Sequence, residues 1–403
     1  MPELFIAADD FTGALDTGVK LSLEGISARV VSGLENVVPC DESVLVANLD
    51  SRHMDRDEAF RITFSACQTA FGLGAKAVYV KTDSGLRGNI GAYLEAAARV
   101  VNGRLLFAPA YPALNRRTEN GVHMIGDVPV SRSVFGRDLL DPVTQDRTRD
   151  IIALQSSLPV YDAQTPYDGG SGPSIEIEEL NTDEAILAYA SEHAAAPLKA
   201  YAGCAGFAQA LGTLFSLKRG TSLSARIRLP LAVLTASLNS VNMEQMRRGE
   251  TAGLYSCRFS DVLEEKPDYD RIIETVSGTR LGAMLETSRT PAQAKELSRL
   301  GEQLGLDTRQ IGERIVFNLG RAAKKLIDSG FGGTLCLFGG DCVSAALGRL
   351  GCRGLLPVRE IEPGVVVSRA FVPDGELTLV TKSGGFGSPD ILEKLIKTAE
   401  EEI

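Results

Sequence analysis

A chain of 403 residues, 44 % of them hydrophobic, can bury two or three cores of ordinary domain size. Its 42 Lys and Arg against 52 Asp and Glu leave a net charge of −10, which argues against a nucleic-acid partner, whose phosphates require a basic face. No apolar run reaches the ~18 residues that span a bilayer, and Met1-Pro2-Glu3 lacks the basic opening of a signal peptide, so no membrane role is expected and a cytoplasmic location is.

The first apolar run, Leu4–Ala8, reads as a strand ending in Asp9 and Asp10. Val44–Ala47 leads to Asp50, Ser51 and Arg52, and a helix over Asp55–Phe71 follows. Ala77–Val80 runs into Lys81, Thr82, Asp83 and Ser84, then a helix over Asn89–Val101 and a strand over Leu105–Ala108 closed by Pro109. This alternation predicts βαβ units and a parallel sheet. In such a sheet ligands bind beyond the carboxyl ends of the strands, so Asp10, Arg52, Lys81 and Asp83 are expected along one rim. Two carboxylates and two cations around one cleft suit a small, anionic, hydroxylated ligand. Asn115 to Pro142 shows little periodicity and is expected as a long irregular segment. Asp162–Pro173 reads as surface loop, and Thr182–Ala194 as a helix capped by Thr182 or Asn181.

The pattern breaks near Ser216–Ser224, which divides the chain into expected domains of residues 1–222 and 223–403. A second α/β pattern then begins. Leu231–Leu234 ends at Ala236-Ser237 ahead of a helix from Val241, and Ala283–Leu285 ends at Thr287. Thr290–Ser329 reads as helix broken at Gly301, Gly305 and Gly312. Thr334–Phe338 runs into Gly339-Gly340-Asp341 before a helix over Cys342–Leu350. Leu377–Val380 runs into Lys382-Ser383-Gly384-Gly385-Phe386-Gly387 before a helix opened by Pro389. Glycine lets backbone N–H groups approach an anion, and the succeeding helix adds partial positive charge. Ser237 offers a third phosphate contact. Neither turn is a P-loop, and no G-x-G-x-x-G comes after the first strand.

Other chemistries find less support. Ser84 and Ser237 are not in G-x-S-x-G, and the three histidines offer no base partner and no metal-ligand spacing. The seven scattered cysteines read as reduced thiols, with Cys204 a packed small residue. A Schiff base at Lys81 has nothing to discriminate for it. Adjacent carboxylates repel, so one of Asp9 and Asp10 is expected to face the rim; in the alternative, Asp9 caps the helix and Asp10 is simply exposed.

Ala8-Asp9-Asp10-Phe11-Thr12-Gly13-Ala14 with Asp16, and Lys81 through Asn89, resemble the two N-terminal motifs of the four-carbon acid sugar kinase family. Pro109-Ala110-Tyr111-Pro112 is similar to its middle motif, and Phe338 to Asp341 and Val380 to Gly387 to its nucleotide motifs. The resemblance implies two α/β domains with mostly parallel sheets, a sugar-acid domain and an ATP-binding domain, and an active site in the cleft between them. It implies ATP and Mg²⁺ as cofactors and a terminal 4-hydroxyl of threonate, erythronate or 3-oxo-tetronate as acceptor. Asp10, Arg52, Lys81, Thr82, Asp83 and Ser84 would hold the acid, with Arg52 and Lys81 neutralising its carboxylate. Ser237, Gly339, Gly340, Asp341, Gly384, Gly385, Phe386 and Gly387 would hold ATP. Asp341 is the choice for the base and Asp10 its rival. Phe135 through Val143 resembles the D-threonate branch, and a homodimer is compatible with the chain. A sensor that binds the acid without catalysis is the reading from a different class.

Overall fold

The computed structural model describes residues 1–138, 140–220, 224–258, 263, 267–288 and 290–402. The chain divides into two compact units, residues 1–222 and 223–403. Residues 221–223, inside the stretch where the pattern breaks, lie outside the described residues.

Unit 1 runs β1 (Leu4–Ala8), α1 (Phe11–Leu23), β2 (Ala28–Ser32), β3 (Val44–Asn48), α2 (Arg56–Gly72), β4 (Ala77–Lys81), α3 (Ile90–Val101) and β5 (Arg104–Ala108). After these come β6 (Arg116–Glu119), β7 (Val122–Ile125), β8 (Val128–Pro129), α4 (Thr148–Ala153), β9 (Val160–Tyr161), β10 (Ser174–Ile177), α5 (Asp183–His193), β11 (Ala200–Gly203), α6 (Ala205–Ala208) and α7 (Leu211–Leu214). Its main sheet has the order β2-β3-β1-β4-β11-β5-β10-β9 and is parallel throughout. β1, β3 and β4 are buried along their whole length, as expected of strands covered on both faces. Phe5, Leu45, Val78 and Phe107 pack there with Ala59, Ala66 and Leu94 from α2 and α3. Asp10, Asp55 and Thr182 cap α1, α2 and α5 by accepting a backbone N–H three residues on.

The segment expected to be irregular instead holds a small antiparallel sheet, β6-β7-β8. β6 is wholly polar, and β7 and β8 are four and two residues long, too short for hydrophobic alternation to reveal them. The legible signal was Asn120-Gly121, a two-residue connection with both φ values positive (51° and 82°) between the paired Glu119 and Val122.

Unit 2 runs β12 (Leu231–Thr235), α8 (Ser240–Thr251), β13 (Tyr255–Arg258), α9 (Tyr269–Ser277), β14 (Gly282–Glu286), α10 (Pro291–Gln303) and α11 (Thr308–Asp328). It ends with β15 (Thr334–Phe338), α12 (Gly340–Leu350), β16 (Gly354–Glu362), β17 (Val365–Val372), β18 (Gly375–Lys382) and α13 (Ile391–Glu401). The strand order is β13-β14-β12-β15-β18-β17-β16, parallel from β13 to β18 and antiparallel in the β16-β17-β18 meander. Val233, Met284, Cys336 and Val380 pack against Met246, Leu392 and Leu395. Three expectations shift. Gly301 and Gly312 lie inside α10 and α11, and the break falls at Leu304–Asp307, where Asp307 and Gln310 form a reciprocal capping box. α12 starts at Gly340 rather than Cys342, which puts Asp341 in its first turn. Pro389 precedes α13 instead of opening it.

Candidate active site

In unit 1 the register sets Ala8, Asn48 and Lys81 side by side at the carboxyl ends of β1, β3 and β4. The connection from β1 leads toward β2 and that from β4 toward β5, on opposite sides, so the crevice between β1 and β4 is a topological switch point. Asp9 is buried at its base. Its carboxylate accepts two bonds from Arg52, Nε to Oδ2 at 2.7 Å and Nη2 to Oδ1 at 3.0 Å. Arg52 Nη2 also lies 2.9 Å from Asp10 Oδ1, and Lys81 Nζ lies 3.7 Å from Asp10 and 3.9 Å from Asp9. Asp10, not Asp9, caps α1. Its Oδ1 accepts the Gly13 N–H at 3.0 Å and its Oδ2 the Thr12 hydroxyl at 2.7 Å. A Cβ on residue 13 would sit 2.1 Å from Lys81 Nζ and 2.4 Å from Asp10 Oδ1, so any larger residue there would displace these side chains.

Burial pushes the Asp9 carboxyl up, and Arg52 and Lys81 offset it only in part. Burial opposes charge on Asp10 too, but there Arg52 and Lys81 prevail and hold it below the usual carboxylate range. Burial likewise disfavours charged Arg52 and Lys81, yet the aspartates outweigh it and lift both above their ordinary values. A lysine held protonated in this way is a poor imine former.

Asp83 lies beside this pair. It accepts from Arg87 Nε at 2.9 Å and Nη2 at 3.1 Å and from the Gly85 N–H at 3.2 Å, while Arg87 Nη1 reaches Asp138 at 2.9 Å. Burial is outweighed here as well, and Arg52 and Arg87 hold Asp83 far below the carboxylate range. Thr82 is completely buried, with its N–H bonded to the Gly203 carbonyl at 2.8 Å. Ser84 accepts from Arg116 Nη1. Its carbonyl lies 3.0 Å from His123 Nε2, which therefore carries the ring proton, and His123 Nδ1 lies 3.0 Å from the Thr118 hydroxyl. Burial pulls His123 down to about 4, so this imidazole stays neutral at ordinary pH.

In unit 2 the register aligns Thr235, Phe338 and Lys382 at the carboxyl ends of β12, β15 and β18. The turns beyond them converge. A Cβ on Gly384 would meet Ser237 Oγ at 3.2 Å, one on Gly385 would meet Asn239 Nδ2 at 3.4 Å, and one on Gly339 would meet Ser237 Cβ at 3.9 Å. Gly339, Gly340 and Asp341 open α12, and Asp341 is exposed. Phe386 and Gly387 form the outer part of the third turn. Two side chains shape it from below. Lys382 is buried, and its Nζ donates to the carbonyls of Ser383, Gly384 and Phe386 at 3.0, 3.1 and 3.3 Å over the Phe338 ring. Burial pulls its pKa down to about 8. From α8, Gln245 Nε2 donates to the carbonyls of Phe386, Gly387 and Ser388 at 3.0–3.1 Å.

Known proteins share both units. The profile of a sugar-binding N-terminal domain matches residues 4–211, and that of a nucleotide-binding C-terminal domain matches residues 232–392. The D-threonate kinase of Salmonella typhimurium is 30 % identical over 99 % of this chain and 99 % of its own. The chain belongs to the four-carbon acid sugar kinase family. It is therefore a phosphotransferase. A D-erythronate kinase of Heliobacterium modesticaldum is 25 % identical over 97 % of this chain and 95 % of its own, and a 3-oxo-tetronate kinase of Cupriavidus necator 26 % over 98 % and 97 %. A crystal structure of a Haemophilus influenzae protein has the same fold, with a TM-score of 0.77 at 21 % identity over 98 % of this chain and 100 % of its own.

In this kinase the expected residues form two groups, one in each unit. Asp10, Arg52, Lys81, Asp83 and Ser84 share the first rim, with Thr82 beneath it, and Ser237, Gly339–Asp341 and Gly384–Gly387 share the second. Asp9 and Asp10 already hold the Arg52 guanidinium and flank Lys81 as well. Sequence reasoning missed the supports. Asn89 Nδ2 donates to the Met54 carbonyl at 2.9 Å and, more distantly, to those of Ser51 and Arg52, and so fixes the Arg52 turn. His123, Gln245 and Lys382 were missed as well. A buried lysine at a strand end was the one available hint.

Proposed function

We propose that this kinase transfers the γ-phosphoryl group of ATP to the 4-hydroxyl of D-threonate, giving 4-phospho-D-threonate and ADP. The reading rests foremost on full-length similarity to a relative named D-threonate kinase, together with a rim in unit 1 that pairs fixed charges with hydroxyl partners. The acid lies against Asp10, Lys81 and Ser84, with Asp83 and Arg52 fixing that surface. Lys81 contributes positive charge beside the hydroxyls, and Asp10 accepts from one of them. The triphosphate lies on the backbone N–H groups of Gly339–Asp341 and Gly384–Gly387, with the Ser237 hydroxyl beside them.

Among the described residues no three His, Cys, Asp or Glu side chains gather as a metal site. The donors beside the glycine turns fit an Mg²⁺ ion carried on the triphosphate, with the Ser237 hydroxyl as the neighbouring protein oxygen. When bound, Mg²⁺ shields phosphate charge. Phosphoryl transfer otherwise needs positioning and one proton acceptor. Asp341 takes that role, because Asp10 is occupied by Gly13, Thr12 and Arg52 and its carboxylate is a weakened base.

A coupled ADP-release assay over D-threonate, L-threonate, D-erythronate and 3-oxo-tetronate tests the reading. The highest kcat/KM is expected for D-threonate. Preference for another acid would move the assignment to that branch, and acid binding without ADP release would leave a sensor.

A further inference from the structure

The four cations near the rim of unit 1 differ in what already holds them. Asp9 engages Arg52 from both oxygens, and Asp83 does the same to Arg87. Lys81 stands within 4 Å of two aspartates. Arg116, at the start of β6, has no such partner: among the described residues no carboxylate lies within ion-pair distance of it. Its Nη1 donates to the Ser84 hydroxyl oxygen, and its guanidinium stacks 4.9 Å from the Phe135 ring centroid. Arg87 lies 5.0 Å from the same centroid, so one ring steadies two cations whose other commitments differ. Burial pulls the Arg116 pKa below its ordinary value, with the Asp83 charge only partly offsetting it.

A half-buried guanidinium without a counter-ion is an unfavourable arrangement until an anion arrives. The groups around it are well suited to receive one. Nη1 is occupied, which leaves the Nε–Nη2 edge, the planar fork that matches a carboxylate with two parallel bonds. Ser84, whose oxygen accepts from Nη1, keeps its own proton to donate. His123 holds the Ser84 carbonyl, so that the serine is oriented from behind.

We infer that Arg116 takes the carboxylate of the substrate through its Nε–Nη2 edge, with the Ser84 hydroxyl donating beside it. This deepens the kinase reading and rests on it. The carboxylate function expected of Arg52 passes to Arg116, and Arg52 becomes the residue that holds Asp9 and Asp10 in position. The substrate class narrows to short hydroxy acids whose carboxylate lies at the end opposite the phosphorylated hydroxyl. The corresponding alditol or carboxamide is a poor substrate.

The test compares wild type, Arg116→Gln and Arg116→Lys on D-threonate and on its carboxamide, by kcat/KM and by calorimetric titration of each compound. Arg116→Gln is expected to lose about 10²–10³-fold on the acid, the scale of two charge-assisted hydrogen bonds, and little on the carboxamide, with the KM for ATP unchanged. Arg116→Lys keeps the charge without the fork and is expected to recover only part of the loss. An equal loss on acid and carboxamide, or full activity of Arg116→Lys on the acid, overturns the assignment of Arg116. If instead the wild type binds the acid in the calorimeter but releases no ADP, the kinase reading falls, and the affinity ratio between wild type and Arg116→Gln still decides the role of Arg116.

Discussion

The two units wind their first four strands in the same spatial order, β2-β3-β1-β4 in one and β13-β14-β12-β15 in the other. Both carry candidate groups just past the ends of the first and fourth strands of that set, joined by Arg52 past the third strand in unit 1 and by Gly384–Gly387 past β18 in unit 2. The chemistry at the two ends is nevertheless opposite. Unit 1 presents Asp9, Asp10 and Asp83 interlocked with Arg52, Lys81 and Arg87. Unit 2 presents glycines, Ser237, Asn239 and the exposed Asp341, and its buried lysine is turned into the carbonyls of its own loop. The winding selects where a ligand can bind, and the residues after the strand ends select which. Fixed charges suit a ligand read by its carboxylate and hydroxyl pattern. Backbone N–H groups suit phosphates, whose oxygens need many donors in a small space.

The largest effect expected across this divide is at Asp341. Asp341→Asn keeps the shape of the first turn of α12 but removes the proton acceptor, and kcat is expected to fall by about 10³-fold, within the range of general-base losses, while the KM for the acid changes little. Normal turnover would remove Asp341 from the base role and return attention to Asp10.

The ionic rim should also be the more fragile of the two. Arg52→Met leaves Asp9 buried without its bidentate partner and is expected to cost about 3–5 kcal/mol in urea unfolding, as broken buried pairs do. Ser237→Ala in the glycine-lined rim is expected to cost under ~1 kcal/mol. Equal losses would mean that the charges of unit 1 contribute little to holding its strand ends together.

Lys382 provides a subtler contrast, visible in the pH dependence of stability. Its folded pKa of about 8 lies below the ordinary 10.5. Between those values the unfolded chain binds the extra proton, so stability rises with pH across that window and loses this component as pH falls through it. Lys382→Met is expected to show a shallower rise between pH 8 and 10.5 than the wild type, together with a weaker grip on ATP from the loosened loop. Parallel curves would contradict a depressed lysine.

Much of this arrangement was legible in the chain. The apolar runs at Leu4, Val44, Ala77, Leu231 and Thr334 are buried throughout in the fold, so length and composition sufficed to identify them as strands. The residues just past those runs were legible too, since Asp10, Lys81, Ser237 and Gly339 need only the strand before them to be located. The partners were hidden. That Asp9 takes Arg52 while Arg116 stands beside Ser84 depends on contacts 43 residues apart and on a hairpin of two four-residue strands, the first of them wholly polar. Nor could spacing reveal Gln245, which reaches a loop more than 140 residues away.

Calorimetric titration of D-threonate and of a non-hydrolysable ATP analogue into wild type and Lys81→Met tests the division of labour most directly. The account predicts that Lys81→Met weakens acid binding at least about tenfold, or ~1.4 kcal/mol, with the affinity for the ATP analogue unchanged, which also certifies the fold of unit 2. Unchanged acid binding, or an equal weakening of both ligands, would contradict it.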